Sequence, residues 1–216
     1  NFNNNKENTM PLWENTAAGI ANKPKFLTDD ANSKYDRTNV YATNQGWVMR
    51  AGSSGTGNGN TGAQEEVLVA IGGLAGTSTS TGLKRPTITR VRWGEAAYVA
   101  ATAITVEVTW DELVEYDAGS AATLVVTSTG TNITLTATHI DGVAIADGIK
   151  GNTITFTGTT VDENATLSIA DDTALGDPDL FDALGAQDAL SGADATTITA
   201  AVKTASGYST RAVTAS

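Results

Sequence analysis

The residues best suited to chemistry in this 216-residue sequence are carboxylates. Asp111, Glu112 and Glu115 lie close together in the sequence, and a second acidic group extends from Asp171 to Asp182. Two carboxylates can act as the acid and base of a glycosidase, but only in a cleft where one of them has a raised pKa. Acidic residues dispersed among turns are usually solvated. We therefore expect no catalytic residue in either group.

Few ligands are available for metals or cofactors. Cysteine is absent and His139 is the single histidine, which excludes thiolate and histidine-rich metal sites. His139 ends an apolar row on one face of a predicted strand, Ile133, Leu135 and Ala137, and no spacing joins it to the acid and nucleophile of a triad. The Asp171 to Asp182 group lacks the Asp-x-Asp-x-Asp-Gly calcium loop. We predict no metal site and no cofactor, and leave calcium at this group open.

The elements that would position these residues are predicted to be strands. Between Ile104 and Ile169, short runs alternate apolar residues with Thr or Glu, which is the period of a β-strand. Ile104, Val106, Val108 and Trp110 share one face, so we predict Trp110 in the core. Turn residues separate the runs at regular intervals, which predicts an all-β fold with an immunoglobulin-like antiparallel sandwich. The runs are 104–110, continuing to 116, then 123–127, 132–138, 153–157 and 165–169.

The last forty residues contain patterns typical of both helix and strand. Asp177 and Pro178 followed by Gly185 have the punctuation of a short helix, with an N-cap, a proline at the first helical position and a terminal glycine. The tail then returns to β character at 196–203 and 208–213.

The charge is divided unequally along the chain. Residues 1–95 carry 10 Lys/Arg and 8 Asp/Glu, a balance of +2, whereas residues 96–216 carry 3 and 16, a balance of −13. An acidic module repels polyanions, so the sequence argues against nucleic-acid binding. No apolar run reaches the roughly 18 residues of a membrane span, so no membrane partner is predicted.

Three parts are predicted: an extended arm at 1–38, a small β domain with a Gly-rich loop at 39–95, and an acidic immunoglobulin-like sandwich at 96–216. The arm is polar and Asn-rich, and its Trp13 either folds back on its own domain or anchors in a neighbour's pocket, as large rings often do at interfaces. Met10 offers a natural translation start, from which we hypothesise that residues 1–9 are leader.

The small β domain is predicted as a hairpin with a long loop. Strands are expected at 39–43, 47–51 and 66–71, with a turn at 44–46. The loop at 52–62 is rich in glycine, but no Gly-Lys-Ser/Thr follows and no basic residue lies within it. It is therefore predicted as a flexible loop and not as a phosphate-binding loop.

A basic cluster precedes the predicted sandwich. Arg90 and Arg92 lie two residues apart and share a strand face, and with Lys84 and Arg85 they form a small basic patch. The patch is either a solvated face balanced by nearby acids or a docking surface for an acidic lattice, where charge steers approach.

Four short motifs between residues 10 and 75 carry a resemblance to a known family. In order they are Met10-Pro11-Leu12-Trp13-Glu14-Asn15-Thr16, Asn22-Lys23-Pro24-Lys25-Phe26-Leu27, Gly46-Trp47-Val48-Met49-Arg50 and Glu65-Glu66-Val67-Leu68-Val69-Ala70-Ile71. This portion resembles the N-terminal part of virion structural proteins of marine T4-like phages. The resemblance covers about a third of the chain. It implies a head-associated particle component and supplies no catalytic residue.

The sequence thus predicts a bacteriophage capsid decoration protein on the virion surface, with no enzymatic activity. Its expected partners are the major capsid protein or other virion subunits, in a homo-oligomer or bound to the lattice, and a host-surface glycan or protein for the displayed domain. Expected anchoring residues are Trp13, Phe26, Trp47, Lys84, Arg85, Arg90 and Arg92. Two alternatives stay open: a tail, neck or fibre component, and a bacterial adhesin or filament subunit in which residues 1–9 complete a neighbour's sheet.

Overall fold

The computed structural model describes residues 37–53, 56, 59–75, 83, 85–117, 119, 121–129, 131–159, 164–176, 180–183 and 193–215. Of these residues, 52% lie in strands and 8% in helices. The all-β fold class predicted from the sequence is therefore confirmed. The immunoglobulin-like arrangement stays a prediction, because the strands are divided between one large curled sheet and two small ones.

The described residues form fifteen strands and two short α-helices, preceded by a 3-10 turn at Arg37–Asn39. The strands are β1 (Val40–Thr43), β2 (Gly46–Met49), β3 (Glu66–Ala70), β4 (Ile88–Trp93), β5 (Tyr98–Val99), β6 (Ala103–Tyr116), β7 (Thr123–Thr127), β8 (Asn132–Ile140), β9 (Val143–Ala144), β10 (Ile149–Thr159), β11 (Thr166–Leu167), β12 (Thr173–Ala174), β13 (Leu180–Asp182), β14 (Thr197–Ile198) and β15 (Arg211–Thr214). The helices are α1 (Ala193–Thr196) and α2 (Ala200–Ala205). None of the helices in the described part of the chain combines the length and apolar character needed to cross a membrane.

The large sheet is organised around β6. Its main path runs β3-β2-β1-β6-β10-β8-β7, and β4 and β13 also pair with β6 while β9 pairs with β8. Along one edge β6 is met in turn by β4, β1 and β13, and along the other edge by β10. From Ile104 to Trp110 the side chains of β6 alternate apolar with polar, which directs one face to the core, while the two backbone edges of its 14 residues pair with four neighbouring strands.

The pairing of β6 with β10 contains a large irregularity. Gly151 lies opposite Val114, but Thr153 lies opposite Thr109, so Asn152 faces a stretch of β6 that bends away from the regular ladder. At this bend β1 joins β6 in parallel, with Ala42 opposite Glu112. The irregularity therefore marks the place where the N-terminal hairpin enters the large sheet.

The strand predictions are largely confirmed. All four alternating residues from Ile104 to Trp110 are fully buried, and β7 has the predicted bounds. The predicted hairpin strands correspond to β1, β2 and β3, and the Gly-rich loop connects the last two. His139 does not continue the row of Leu135 and Ala137, because the β8–β10 register shifts there and Ile140 takes the buried place while His139 is exposed.

Two predictions for the last forty residues are wrong where the chain is described. The segment Leu180–Asp182, predicted as helix, is strand β13 and pairs with β6 at Tyr116–Val114. The segment predicted as strand at 196–203 is mostly helical: α2 covers Ala200–Ala205, with Thr199 as its N-cap accepting a hydrogen bond from the Val202 backbone N–H (3.2 Å). At β13 a local helix signal gave way to pairing with a distant strand, whereas at α2 the local N-cap of Thr199 favours the helix.

Two hydrophobic cores divide the chain between residues 83 and 88. The smaller core contains Trp47 and Met49 and extends to Leu83. The larger core begins at Ile88 and contains Trp93 and Trp110. Strand β4, which the predicted boundary at residue 95 assigns to the small domain, thus belongs to the sheet and core of the second part.

Candidate functional site

Most of the described residues of the predicted basic patch do not present free charge to solvent. Lys84 lies outside the described residues. Arg90 is only 6% exposed, and Arg92 donates through Nε to a Glu107 carboxylate oxygen at 2.9 Å on the neighbouring strand. Within the described part of the chain, Arg85 is the member of the patch that stays exposed. The prediction that Arg90 presents charge to a partner is corrected, because this side chain is used inside the fold.

The aromatic anchors have different positions. Trp13 and Phe26 lie outside the described residues. Trp47 is fully buried in the smaller core, with Val40, Met49 and Leu74 in the same cluster. A side chain without exposed surface cannot contact a partner directly, so the prediction for Trp47 is corrected: it stabilises the hairpin from which any anchor would project.

In the first of the two acidic groups considered for catalysis, Asp111 and Glu112 are not solvated turn residues as predicted. Asp111 and Glu112 are both fully buried in β6. Asp111 Oδ1 accepts a hydrogen bond from the Thr87 backbone N–H at 2.7 Å, which fixes the chain just before β4. Glu115 pairs with Lys150 at 3.0 Å. The buried Asp111 thus connects the start of β4 to β6, which is a structural role.

The acidic group from Asp171 to Asp182, considered above as a calcium site, is only partly described. Asp171 and Asp172 are exposed, whereas Asp177, Asp179 and the side chain of Asp182 lie outside the described residues. Asp171 pairs with Lys203 at 2.7 Å. Among the side chains that the structure describes, no group of three or more His, Cys, Asp or Glu residues could hold a metal ion.

The most developed polar site is the joint between the N-terminal hairpin and the large sheet, formed by Arg50, Asp141 and Asn152. Arg50 follows β2 and reaches 91 residues along the chain, where its Nη1 donates to Asp141 Oδ2 at 2.6 Å. Its Nη2 donates to Asn152 Oδ1. The Arg50 guanidinium thus hydrogen-bonds to both the β8–β9 turn and strand β10, which its rigid planar arrangement of donors allows.

Asp141 is positioned by a tight turn between β8 and β9. Asp141 and Gly142 have φ of 49° and 79°, the left-handed pair required by a two-residue hairpin turn with Asp-Gly. The carboxylate accepts hydrogen bonds from the backbone N–H groups of Asn152 and Thr153, both at 3.1 Å. Gly151 makes this approach possible, because a Cβ at this position would lie 2.2 Å from Asp141 Oδ2.

Asn152 is fully buried at the irregularity in β10 and completes the joint. Its Nδ2 donates to the carbonyl oxygens of Thr38 (3.1 Å) and Trp110 (3.2 Å). The amide therefore connects the entry to β1, the bend of β6 and, through Oδ1, Arg50. Its donors and its acceptor are both used, as a buried amide requires.

Tyr41 contacts the joint from the hairpin side. Its hydroxyl donates to Glu65 Oε1 at 2.9 Å, and the Arg50 guanidinium lies 5.3 Å from the ring centroid. Burial raises the pKa of Tyr41, and the hydrogen bond to Glu65 and the charge of that carboxylate raise it further. Burial also raises the pKa of Asp141, although the charge and hydrogen bond of Arg50 oppose this.

None of the three joint residues was predicted from the sequence as a site residue. Arg50 and Asn152 are 102 positions apart, and no local period relates them. One signal was available: the Asp-Gly dipeptide at 141–142 between two β-like runs predicts a hairpin turn. Nothing in that dipeptide indicates that the carboxylate binds an arginine of another unit.

Strand β3 forms the outer end of the large sheet's main path. No strand of the described residues pairs with its second edge, and Val67 is 42% exposed. A cavity of about 190 Å³ lies beside the start of β3, lined by Ala51, Gly52, Thr56, Ala63, Gln64 and Glu66. This end of the molecule therefore combines open backbone, apolar surface and negative charge.

Comparison with protein-family models, curated proteins and solved structures finds no match for the chain.

Proposed function

We propose that this chain is a structural protein of a phage virion, a capsid decoration protein that anchors through its N-terminal part and displays an acidic all-β domain. The N-terminal motifs that resemble virion proteins lie in the arm and the hairpin, up to the end of β3. The proposal assigns anchoring to that part and display to the remainder.

The joint is the observation that carries the proposal. A protein that fastens one end to a particle and presents the other must transmit force and orientation between them. Arg50, Asp141 and Asn152 join the two parts through partly buried, directional hydrogen bonds. Such bonds define one geometry where an apolar contact would permit several. The hairpin and the displayed domain can therefore act as one rigid body on a lattice.

The charge distribution supports the same division. From Ile88 onward the displayed part carries 5 Lys/Arg and 17 Asp/Glu, a balance of −12, which keeps neighbouring copies apart on a crowded surface. Residues 1–87 carry 8 and 7, a balance of +1, with Arg85 exposed close to the boundary between the cores.

The test is quantitative mass spectrometry of purified virions, measuring the molar ratio of this chain to the major capsid protein. A ratio of one, or a fixed simple fraction of one, is expected for a decoration protein. A ratio of a few copies per particle would replace the proposal with a tail, neck or fibre role. Absence from virions would overturn it and favour the adhesin or filament alternative.

A variant test addresses the anchoring part directly. Trp13→Ala is expected to lower the occupancy of the chain on particles without changing its far-UV circular dichroism, because truncating an aromatic anchor commonly costs 2 kcal/mol or more, about a 30-fold loss of affinity. Val143→Ala, at a 57% exposed position in the displayed part, is the control and should leave occupancy unchanged. Unchanged occupancy of Trp13→Ala would remove this residue from the anchor.

A further inference from the structure

An apolar row of the hairpin sheet ends at the edge of β3. Tyr41, Val48 and Val67 lie opposite one another across β1, β2 and β3. Tyr41 and Val48 are buried, whereas Val67 is 42% exposed. Among the described residues, no strand pairs with the second edge of β3. Within this part of the chain, an added strand would find both backbone partners and an apolar side chain to cover.

A cavity of about 190 Å³ lies beside the start of the same strand. Ala51 and Ala63 contribute apolar lining, and Gln64 and Glu66 contribute polar lining. The volume is far above the roughly 10–15 Å³ that one water molecule needs, so the end of a side chain can enter. Apolar walls suit the methylene stem of Lys or Arg, and a carboxylate suits its charged end.

The backbone around this cavity is shaped by turns of the Gly-rich loop. The Ala63 backbone N–H donates to the carbonyl oxygen of Asn60 at 3.2 Å. Gly52 has a φ of 74°, and a Cβ at this position would lie 2.7 Å from Thr61 Cγ2. The two ends of the loop therefore pack directly against each other, and the cavity is formed before any partner arrives.

The two carboxylates at the start of β3 differ in how they are used. Glu65 Oε1 accepts a hydrogen bond from the Tyr41 hydroxyl at 2.9 Å. Among the described residues, the exposed Glu66 side chain makes no hydrogen bond or ion pair. The charge of Glu66 therefore lies beside the cavity without being neutralised inside the fold, and a cation of a partner would complement it.

We propose that the edge of β3 binds, as an added strand, an extended segment of a neighbouring virion subunit in which a Lys or Arg directly adjoins a Val or Ile. The cation enters the cavity beside Glu66, and the apolar side chain covers Val67. Glu66 and Val67 are consecutive and point to opposite faces, so the two recognised residues of the partner are consecutive as well. This inference rests on the proposed function in naming a virion subunit as the source of the segment.

Strand β3 also carries features that discourage indiscriminate pairing. It is short, it begins with a charge, and its register against β2 shifts between Trp47 and Val48. Natural edge strands use such features to avoid aggregation. A partner that supplies complementary charge is thereby favoured over an arbitrary strand.

The probe for the test is the synthetic peptide acetyl-Thr-Thr-Val-Lys-Val-Thr-Thr-amide. Its sequence reads the same in both directions, so it matches the edge whether it adds parallel or antiparallel to β3. Binding to the full chain is followed by the NMR chemical shifts of backbone amides, at peptide concentrations that suit a small, weak interface. We expect shifts concentrated in β3 and around the cavity, and several-fold weaker binding when Glu replaces the Lys or Ser replaces both Val residues of the peptide.

A charge exchange tests whether Glu66 recognises the cation. The Glu66→Lys chain is expected to bind the Glu peptide about two- to fivefold more tightly than the Lys peptide, because like charges directly opposite each other across strands are destabilising. Glu95→Lys, a reversal at an exposed position outside β3, is the matched control and should keep the preference for the Lys peptide.

Backbone methylation of the peptide tests strand addition itself. The N–H and C=O groups of alternate residues in a strand point to the same edge. One peptide carries N-methyl groups at its second, fourth and sixth residues, and another carries them at its third and fifth. We expect one of the two to lose detectable binding and the other to retain it, since only one set of N–H groups faces β3.

Three results would overturn the inference. The first is the absence of shifts in β3 when the Lys peptide is added, and the second is equal affinity of the unaltered chain for the Lys and Glu peptides. The third is equal binding of the two methylated peptides, which would show that the contact does not use the main chain. Each of these leaves the virion ratio unaffected, whereas binding as expected in a chain absent from virions would remove the proposed function and keep the peptide site.

Discussion

Asn152 makes the most concentrated set of polar contacts in the joint while having no exposed surface. Its Nδ2 serves the carbonyl oxygens of Thr38 and Trp110, and its Oδ1 accepts from Arg50. Replacement by Ala would remove the hydrogen bond to the Trp110 carbonyl in the interior, the one to the Thr38 carbonyl and the one accepted from Arg50. We expect Asn152→Ala to lower the free energy of unfolding by about 2–4 kcal/mol.

The measurement for this prediction is urea denaturation followed by circular dichroism. Asn132→Ala is the matched control, because Asn132 begins β8 at an exposed position and should change stability by less than about 0.5 kcal/mol. Equal effects of the two substitutions would show that the buried amide contributes nothing specific.

Gly151 is a second residue on which the joint depends. An added Cβ would lie 2.2 Å from Asp141 Oδ2 and 2.6 Å from Ile140 Cγ1, so the carboxylate that binds Arg50 would have to move. We expect Gly151→Ala to destabilise the protein by about 1–3 kcal/mol. Thermal denaturation checks this against Gly72→Ala, where a Cβ meets no atom within 4 Å. A stabilised Gly151→Ala protein would contradict the described contact.

At the scale of elements, strand β13 shows how a short segment is secured by one side chain. Leu180 is fully buried and lies opposite Tyr116 at the end of β6. Because the strand has only three residues, its few backbone hydrogen bonds depend on this apolar contact. Leu180→Ala should cost about 2–5 kcal/mol. The comparison is Val143→Ala on the exposed β9, expected to cost below about 0.5 kcal/mol in the same chemical denaturation.

The same strand shows where sequence reasoning fails. The helix punctuation of Asp177, Pro178 and Gly185 is a local signal, whereas the state of Leu180 is decided by pairing with a strand more than sixty residues earlier. β7 was predicted with its correct bounds because alternation alone specifies a half-buried strand. The all-β class follows from such patterns, and the corrections follow from partners that lie far away in sequence.

The candidate site was less predictable than the fold for the same reason. Arg90 and Arg92 have the spacing of a shared face, but only the three-dimensional structure shows that Arg90 is buried and that Arg92 pairs with Glu107. A basic pattern cannot reveal whether its charges are already neutralised. The edge of β3 was foreseen as a strand and not as the end of a sheet, because its position depends on how the hairpin joins β6.

At the scale of the whole molecule, the joint determines whether the two cores behave as one unit. The two cores form separate clusters, and among the described residues they are connected by the β1–β6 pairing, the Arg50 contacts and the hydrogen bond from Asn152 to Thr38. We expect native-state hydrogen exchange to show β1, β2 and β6 opening together in the unaltered protein. Arg50→Met, which keeps an apolar stem over Tyr41 but removes the guanidinium, should lower the opening free energy of β1 and β2 selectively, by about 1–3 kcal/mol.

The effect of Arg50→Met should also depend on pH, with a sign fixed by Asp141. The pKa of this carboxyl is already raised by burial, and removing Arg50 takes away the charge that opposes the rise. A folded-state pKa above the unfolded value of about 3.9 means that protonation stabilises the folded form and that stability is lost as the pH rises through the folded-state value. The destabilisation caused by Arg50→Met should therefore be larger at pH 8 than at pH 5.

The control is Lys150→Met, which breaks the more exposed pair with Glu115 and should leave the hydrogen exchange of β1 and β2 unchanged. Equal protection of the hairpin in Arg50→Met and the unaltered protein at pH 8 would mean that the apolar contacts alone couple the two parts, and a rigid anchor would no longer follow from the joint.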